Sequence, residues 1–394
     1  MTSAVAITDP FEVFTRDQLR RRTSVKWSVD EDALPLFIAE MDVQLAEPVQ
    51  RAVHEAIGSG DSGYACSHHQ LADAYAAFAK TQWGADVDVS GARANGGVLP
   101  AIVELLRVLT EPGATVIVTP PVYAPFYSFI KYSGRVTADA PLGTEGRFDF
   151  EVIEGAFTAA GPGSAMVIAN PHNPTGIAHT RVELEQLAQL AALHGVTVIS
   201  DEIHSPLVYD RPHVPYTTVD PRGFAVFSAS KAFNLAGLPA SLSIAGPDAS
   251  AALASVDTAL DKTLGLVAAT AHLAALQHGG EWLASTMTAL DVRRRRVAEL
   301  VDQRLPGVGM RMPEATYLAW LDFSDTALAD PAAVAHPGSM GSDLGVAGDL
   351  AKRCGVVLSS GEAFGEGGQN RARFNFGTRF DIIEEAVDRI AAEL

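Results

Sequence analysis

The 394-residue sequence predicts an α/β protein: a large domain, in which helices cover a mostly parallel sheet, and a smaller α/β domain. Between residues 92 and 246, short apolar segments alternate with segments of helical periodicity, which is typical of a parallel sheet. The helical segment Val182–His194 has leucines three residues apart, and Gly195 follows it as an expected stop. The predicted strands are Thr115–Val118, Ala165–Ala169, Thr197–Ser200, Ala225–Phe227 and Leu242–Ala245.

The C-terminal third has a different pattern and predicts the smaller domain. Its expected elements are three strands and a last helix, at Thr316–Phe323, Val356–Leu358, Arg373–Phe376 and Ile382–Leu394. We expect residues 51–284 to form the large domain, and residues 1–50 and 285–394 to form the small one. The segment from Asp325 to Gly348 is rich in Ala, Asp, Pro, Gly and Ser, which predicts a surface excursion without chemistry.

Composition and charge narrow the class of protein. A formal net charge of -18 disfavours nucleic acid as a partner, because binding to phosphates needs a basic surface. For the basic run Arg293–Arg296 we expect a solvated helix face. Cys66 and Cys354 fit neither a disulfide framework nor a metal-ligand pattern. The sequence shows no apolar run of the roughly 20 residues that a membrane span needs and no signal-peptide pattern, so we expect a cytoplasmic protein.

Three polar side chains follow three successive predicted strands. Asn173 lies in the turn Asn170–Gly176, Asp201 follows the next strand, and Lys231 ends the segment Ser228–Lys231. Because ligands bind beyond the carboxyl ends of parallel strands, we expect these side chains to converge. Together they suit pyridoxal phosphate: a lysine forms a Schiff base with the aldehyde, an aspartate pairs with the pyridinium nitrogen, and an asparagine donates to the ring oxygen. Burial beside a cationic cofactor would lower the lysine pKa, so that the amine could take a proton from carbon.

Other residues are candidates for holding the phosphate of this cofactor. Gly97 and Val98 precede the apolar helix Leu99–Leu109, so their backbone amides could face an anion, helped by the helix dipole. Ser228 and Ser230 would donate hydroxyl groups to the same phosphate. These residues extend the predicted site to the start of a helix.

An aromatic residue and two arginines complete the candidate site. Tyr123 follows a strand and could stack on the pyridine ring. Arg371 and Arg373 would share one face of a strand, and spacing does not decide which of them binds an amino-acid carboxylate. The candidates also have ordinary structural explanations: a surface lysine, a helix-capping aspartate, a turn asparagine and a core tyrosine. Function is favoured because all of them follow strand ends.

With these residues assembled, the chain resembles the fold-type I pyridoxal-phosphate enzymes of the aspartate aminotransferase superfamily. Within it, the chain looks most like the MalY/PatB group of cystathionine β-lyases, also called cysteine-S-conjugate β-lyases. That narrower resemblance depends on His204, where aminotransferases usually have tyrosine, and on two N-terminal segments. The resemblance covers nearly the whole chain through Ser24–Trp27, Ile38–Asp42, Pro120–Tyr123, Asn170–Gly176, Asp201–His204, Ser228–Leu238 and Gly361–Gly365.

The resemblance implies roles that the residues alone do not. Tyr64 would reach the cofactor phosphate of the other subunit of a homodimer, and His204 would lie beside the cofactor. Arg373 would bind the substrate carboxylate, because it begins an Arg-hydrophobic-Asn pattern that the family shares. Two features depart from the family: Cys66 stands where proline is common, and the segment 325–348 looks longer than usual and could alter the entrance to the site.

The implied activity is that of a carbon-sulfur β-lyase, acting on cystathionine or related S-substituted cysteines. Lys231 would remove the Cα proton, the thiolate would leave, and pyruvate and ammonia would follow. Thiol pKa values of about 8.5 make the thiolate a good leaving group. With cystathionine the thiol would be homocysteine, which implies a role in methionine biosynthesis. The alternatives are a class I/II aminotransferase, which shares the proton removal, and a cofactor-binding regulator or interaction module.

Overall fold

A computed structural model describes residues 9–66, 68–338 and 342–394. Its strands are β1 (Leu34–Pro35), β2 (Arg93–Asn95), β3 (Thr115–Val118), β4 (Val136–Asp139), β5 (Ala165–Ala169), β6 (Thr197–Asp201), β7 (Phe224–Phe227), β8 (Ser241–Ala245), β9 (Gly309–Met310), β10 (Leu318–Asp322), β11 (Val356–Val357), β12 (Ser359–Ser360) and β13 (Arg371–Asn375). Its α-helices are α1 (Arg16–Arg20), α2 (Glu47–Gly58), α3 (His68–Trp83), α4 (Val98–Leu109), α5 (Pro125–Tyr132), α6 (Phe150–Ala160), α7 (Arg181–His194), α8 (Ser250–Ala254), α9 (Leu266–His278), α10 (Gly280–Arg304), α11 (Gly345–Cys354) and α12 (Phe380–Ala391). None of these helices combines the length and the apolar character that crossing a membrane requires.

A large sheet in the order β2-β8-β7-β6-β5-β3-β4 forms the centre of the described chain. Neighbouring strands from β7 to β4 pair in parallel, whereas β8 is antiparallel to both of its neighbours. The predicted α/β fold with a mostly parallel sheet is therefore confirmed. The prediction did not include β2 and β4, which are the two edge strands; β4 is only partly buried and lacks the continuous apolar run that marks the central strands.

Helices cover both faces of this sheet because successive side chains of a strand point to opposite faces. In β3, Val116 and Val118 pack on the side of α4 and α5, whereas Ile117 packs on the side of α6 and α7. All three side chains are fully buried. Each contributes roughly 1.5–3 kcal/mol of hydrophobic free energy to folding. The resulting sandwich fixes the strand ends from which the site is built.

Helix α7 shows how local sequence sets the ends of an element. The Thr180 hydroxyl accepts the Glu183 amide hydrogen while the Glu183 carboxylate accepts the Thr180 amide hydrogen, which forms a capping box. Gly195 follows the helix with a φ of 67°, a left-handed conformation that ends helices at little cost for glycine. The helix begins one residue before the predicted Val182, at the position that the capping box selects.

The C-terminal strands form a second sheet in the order β12-β13-β10-β9, and β1 pairs in parallel with β11. The N-terminal segment therefore packs with the C-terminal part of the chain, as the sequence suggests. The predicted boundary at residue 284 lies inside α10, a continuous helix from Gly280 to Arg304. The division into residues 51–284 and residues 1–50 with 285–394 stays a prediction.

The prediction that Arg293–Arg296 form a solvated helix face is wrong for half of the run. Arg293 and Arg294 are buried, with 0% and 2% of their surface exposed. Arg293 forms ion pairs with Asp9 and Glu12, at 2.8 and 3.2 Å. Four consecutive residues of a helix point in four directions about 100° apart, so they cannot share one face. A basic run inside a helix therefore does not predict a basic surface.

Candidate active site

A cavity of about 700 Å³ opens where β5, β6 and β7 end. Tyr64 is the one predicted site residue absent from its lining, and 93% of the Tyr64 surface is exposed. A role across a subunit interface for Tyr64 stays a prediction. All the other predicted site residues line this one cavity: Gly97, Val98, Tyr123, Asn173, Asp201, His204, Ser228, Ser230, Lys231 and Arg373.

Lys231 lies at the centre of this set, directly after β7. Its Nζ donates a hydrogen bond to the carbonyl oxygen of Ala39 at 3.0 Å. Burial of the amine, followed by the positive charge of Arg373, lowers the pKa of Lys231 to about 8, against the opposing charges of Glu40 and Asp201. About a tenth of the amine is therefore unprotonated at pH 7, far more than for an ordinary lysine, and a nucleophile or base needs this form.

Asp201 is the last residue of β6 and has only 4% of its surface exposed. Its Oδ1 accepts a hydrogen bond from the Ile203 amide at 3.0 Å. Burial raises the pKa of Asp201 to about 7, and this effect exceeds the lowering by the Ile203 hydrogen bond. A carboxylate held in this way lacks a strong partner for its charge, so a bound cation at this position would be stabilised.

Arg373 projects from β13 and is 6% exposed. One terminal nitrogen donates to Asn173 Oδ1 at 2.9 Å, and the other donates to the Phe37 carbonyl at 2.9 Å and to Ser359 Oγ at 3.1 Å. The distance from the centre of the Phe364 ring to Cζ of Arg373 is 5.1 Å, so the ring lies against the guanidinium. Nε of Arg373 has no hydrogen-bond partner among the described residues. Burial lowers the pKa of Arg373 to about 10. The hydrogen-bond acceptors of the Arg373 guanidinium are therefore neutral groups, and no carboxylate among them balances its positive charge.

The structure distinguishes the two arginines that sequence spacing left open. Arg371 forms an ion pair with Asp322 at 2.6 Å and does not line the cavity. Residues two positions apart in a strand are about 6.6 Å apart, so two arginines on one face need not reach the same ligand. Arg373 is therefore the residue placed to bind a carboxylate.

The far end of the cavity can hold an anion. The amides of Val98 and Leu99 open helix α4 and have no acceptor within the helix. The Ser228 hydroxyl donates to the Ala240 carbonyl at 2.6 Å, and Ser228 Oγ also accepts the Ser230 amide hydrogen. The two serine hydroxyl oxygens lie 3.1 Å apart, so Ser230 has a hydroxyl partner in Ser228, but, unlike the proton of Ser228, its proton is not committed to a carbonyl.

Two rings close the cavity near Asp201. Burial, followed by the charge of Asp201, raises the pKa of Tyr123, so its phenol stays neutral. Burial and the charges of Lys231 and Arg373 hold the pKa of His204 well below its usual range, so its imidazole is neutral too. Nδ1 of His204 has no partner among the described residues. Two neutral rings, those of Tyr123 and His204, therefore line the cavity together with three charged side chains, those of Lys231, Asp201 and Arg373.

Sequence reasoning missed the backbone of the segment Phe37–Asp42 as part of the site. The Ala39 carbonyl accepts hydrogen bonds from both Lys231 and the Tyr317 hydroxyl, the latter at 2.8 Å. The amide of Asn375 donates to the carbonyls on either side of Ala39, at 2.6 and 2.7 Å. Carbonyl groups have no residue signature, so no sequence signal could reveal this contact directly.

The segments that carry the family resemblance hold this backbone in place. Asn234 exchanges hydrogen bonds with the backbone of Met41, at 2.8 and 2.9 Å. The buried Asp42 carboxylate accepts hydrogen bonds from Lys26 Nζ and Trp27 Nε1, both at 2.8 Å. Asp42, the one aspartate of the segment Ile38–Asp42, and the pair Lys26 and Trp27 therefore belong to one buried cluster.

Most described residues of the segment 325–348 are exposed or half-buried, as a surface excursion would be, but part of the segment borders the cavity; its lack of chemistry stays a prediction. The amides of His336 and Gly338 donate to the carbonyls of Glu362 and Ala363, at 2.8 and 3.1 Å. Ala363 and Ser342 both line the cavity. The described residues of the segment before α11 form no helix or strand, and these backbone hydrogen bonds hold them against residues of the cavity lining. Residues 339–341 lie outside the described part of the chain.

Comparisons with known proteins agree with this geometry. A family model described as "Aminotransferase class I and II" matches residues 38–390. The chain is 42% identical to a "Putative cystathionine beta-lyase" of Mycobacterium tuberculosis, over 98% of this chain and 99% of that protein. It is 33% identical to "Cystathionine beta-lyase PatB" of Bacillus subtilis, over 96% and 98%. A solved structure from Corynebacterium diphtheriae, described as a "putative plp-dependent beta-cystathionase", has a TM-score of 0.86 and 25% identity, over 96% of this chain and 97% of that chain. The family resemblance stated from the sequence is confirmed.

Proposed function

Because the chain belongs to the aminotransferase class I and II family, we propose that it is a pyridoxal-phosphate-dependent carbon-sulfur β-lyase. It would convert cystathionine or related S-substituted cysteines to pyruvate, ammonia and a thiol. One observation carries the proposal: Lys231, Asp201 and Arg373 line one cavity, Asp201 and Arg373 buried and Lys231 half-buried, and none of them has a full counter-charge. The names of the relatives, which are cystathionine β-lyases, support the lyase assignment.

The groups in the cavity fit pyridoxal phosphate. The amides that open α4 and the Ser230 hydroxyl would receive the phosphate. Asp201 would receive the protonated pyridine nitrogen, which supplies the cation that its buried carboxylate lacks. The Asn173 side-chain oxygen is occupied by Arg373, so its amide hydrogens remain free to donate to the ring oxygen. When bound, this cofactor accepts the electron pair that remains on Cα after a proton is removed.

The residues of the chain would bind the amino acid and move its proton. Arg373 holds the substrate carboxylate, which provides the charge that its guanidinium lacks. Lys231 Nζ takes the proton from Cα, because a pKa of about 8 leaves part of the amine unprotonated at neutral pH. Asp201 keeps a proton on the pyridine nitrogen, and this interaction strengthens as negative charge develops.

The β-substituent then leaves as a thiolate, since thiol pKa values of about 8.5 make sulfur a good leaving group without a strong acid beside it. Overall the thioether and one water molecule yield one thiol, one pyruvate and one ammonium ion. With cystathionine as the substrate the thiol is homocysteine, and the enzyme would then serve methionine biosynthesis. This pathway role is part of the proposal.

Two further elements of the proposal concern assembly and location. A homodimer with Tyr64 at its interface is supported by the 93% exposure of this aromatic side chain. A cytoplasmic location is supported by two free cysteines, Cys66 and Cys354, since secreted proteins more often contain disulfides. The net charge of -18 argues against nucleic acid as a partner. The proposed partners are therefore a small-molecule substrate and a second copy of the chain.

The test supplies purified, cofactor-loaded protein with cystathionine or an S-alkyl cysteine. Pyruvate is measured by coupled reduction and free thiol by a colorimetric reagent, while amino transfer to a 2-oxo acid is measured in parallel. We expect equal amounts of pyruvate and thiol, with amino transfer at least roughly tenfold slower, a ratio that needs a barrier difference of only about 1.4 kcal/mol. If aspartate or an aromatic amino acid transaminates faster than cystathionine is cleaved, the aminotransferase alternative replaces the lyase.

A further inference from the structure

The proposed lyase chemistry uses every charged side chain that lines the cavity in the described part of the chain. These side chains are Lys231, Asp201 and Arg373, and each has a role with cofactor or substrate. The neighbouring His204 is neutral, because burial holds its pKa well below the usual range. No lining charge among the described residues therefore remains for the part of a substrate beyond its sulfur atom.

Few neutral polar groups remain either. The Ser359 hydroxyl donates to the Phe37 carbonyl at 2.7 Å and accepts a hydrogen bond from Arg373 at 3.1 Å, so it is already satisfied. Ser342 contributes one further hydroxyl to the lining. Together with the Tyr123 phenol and Nδ1 of His204, this hydroxyl provides only neutral groups, which cannot balance both the charge of a carboxylate and that of an ammonium group.

The remaining wall is apolar and comes from four separate parts of the chain. Val25 and Ile38 belong to the N-terminal segment, Leu99 lies in the first turn of α4, Phe129 belongs to α5 and Phe364 precedes β13. Val25 has 64% of its surface exposed although it is a cavity-lining residue. An exposed valine at the edge of a cavity is a surface that an apolar ligand can cover with a gain in free energy.

We propose that this cavity selects cysteine conjugates with an apolar S-substituent, alkyl or aryl, over cystathionine; this inference rests on the proposed lyase function. Cystathionine ends in an ammonium and a carboxylate, which lose water at this wall without finding a partner. S-butyl-cysteine has the same four-carbon chain on sulfur without the two charges. Each methylene that this wall covers should raise kcat/KM by up to about fourfold.

The first experiment compares kcat/KM for S-methyl-, S-propyl-, S-butyl- and S-benzyl-cysteine with that for cystathionine, by pyruvate release from the cofactor-loaded protein. We expect values to rise along the alkyl series, with S-butyl-cysteine at least about tenfold above cystathionine. Equal or faster cleavage of cystathionine overturns the inference, including the case in which a second copy of the chain supplies a charge at the cavity mouth. No pyruvate from any thioether overturns the lyase function instead.

Binding measurements read the preference independently of turnover. Calorimetry on the cofactor-loaded Lys231→Ala variant should give a dissociation constant for S-butyl-cysteine at least about tenfold below that for cystathionine. The reverse order overturns the inference even if the protein is not a lyase.

A matched pair of variants locates the preference in the wall. Val25→Asp should lower the ratio of S-butyl-cysteine to cystathionine kcat/KM about tenfold, because it places a charge beside the alkyl chain. Val182→Asp is the control, since Val182 is a similarly exposed valine, at 71%, on α7. If Val25→Asp leaves the ratio of the two kcat/KM values at the wild-type value, this apolar wall does not contact the S-substituent. Phe129→Gln, at another apolar residue of the cavity lining, should move the ratio in the same direction.

Discussion

We expect Asp201→Asn to make the cofactor-free protein more stable at alkaline pH. Asp201 is a buried carboxylate, and its proposed partner, the protonated pyridine nitrogen, is present only when the cofactor is bound. Its surface is 4% exposed and its hydrogen bond from Ile203 offsets only part of the cost of burial. Asparagine keeps nearly the same shape without a charge. The substitution thus removes the cost of ionisation and leaves the packing in place.

The magnitude follows from the pKa, which burial raises from 3.8 to about 7. Between these values the folded protein binds a proton that the unfolded chain has released, so the free energy of unfolding of the wild type falls as pH rises. Each pKa unit corresponds to about 1.4 kcal/mol, so the full cost above pH 7 is about 4 kcal/mol and the cost at pH 5 is about 2 kcal/mol. The stability advantage of Asp201→Asn should therefore grow by about 2–3 kcal/mol from pH 5 to pH 8.

Urea unfolding of the cofactor-free wild type and Asp201→Asn at pH 5 and pH 8 measures this difference. Asp302→Asn serves as the control, because Asp302 is an exposed aspartate on α10 that does not line the cavity. A difference that stays flat for Asp201→Asn would refute the electrostatic argument. In the cofactor-loaded protein the same substitution should lower kcat, and an unchanged kcat would contradict the pairing with the pyridine nitrogen.

Three further predictions concern the rest of the site. Lys231→Ala should abolish turnover while circular dichroism shows an intact fold, and borohydride reduction with peptide mapping should label Lys231; a label on another lysine contradicts the assignment. Ser230→Ala should weaken cofactor binding by roughly tenfold, the value of a hydrogen bond to a charged group, whereas Ser228→Ala should mainly lower stability because it removes the hydrogen bond to the Ala240 carbonyl. Equal losses of affinity would be evidence against separate roles. Sedimentation at assay concentration should show a homodimer whose activity depends on Tyr64, and a fully active monomer would exclude that arrangement.

The sequence predicts those site residues whose position depends only on the local pattern of apolar residues and on the topology of the sheet. Asn173, Asp201 and Lys231 each follow an apolar segment, and the ends of parallel strands meet at one edge of a sheet. Neither step requires knowledge of distant contacts. The same reasoning placed the helix amides of α4 beside them, because a glycine pair before an apolar helix marks its start.

What could not be predicted depends on contacts between distant parts of the chain. Spacing alone does not decide between Arg371 and Arg373, and only the family resemblance favours Arg373; the ion pair of Arg371 with Asp322 joins two paired strands that are far apart in sequence. The Ala39 carbonyl meets Lys231 from a segment 192 residues away. Spacing within one element carries no information about such partners, so several geometries were compatible with the same sequence pattern.

The three charged groups of the cavity share a property that links stability to function. Burial lowers the pKa of Lys231 and Arg373 and raises that of Asp201, so each group is moved towards its uncharged form. A core optimised for stability would pair or replace such groups, whereas we propose that β6, the segment after β7, and β13 hold them where cofactor and substrate bring the missing charges. Binding of each ligand should therefore raise the melting temperature by mass action and by relieving these costs. In the proposed function, the three groups whose charges are costly to bury are the same ones that bind the carboxylate, keep the pyridine nitrogen protonated and take the proton from Cα.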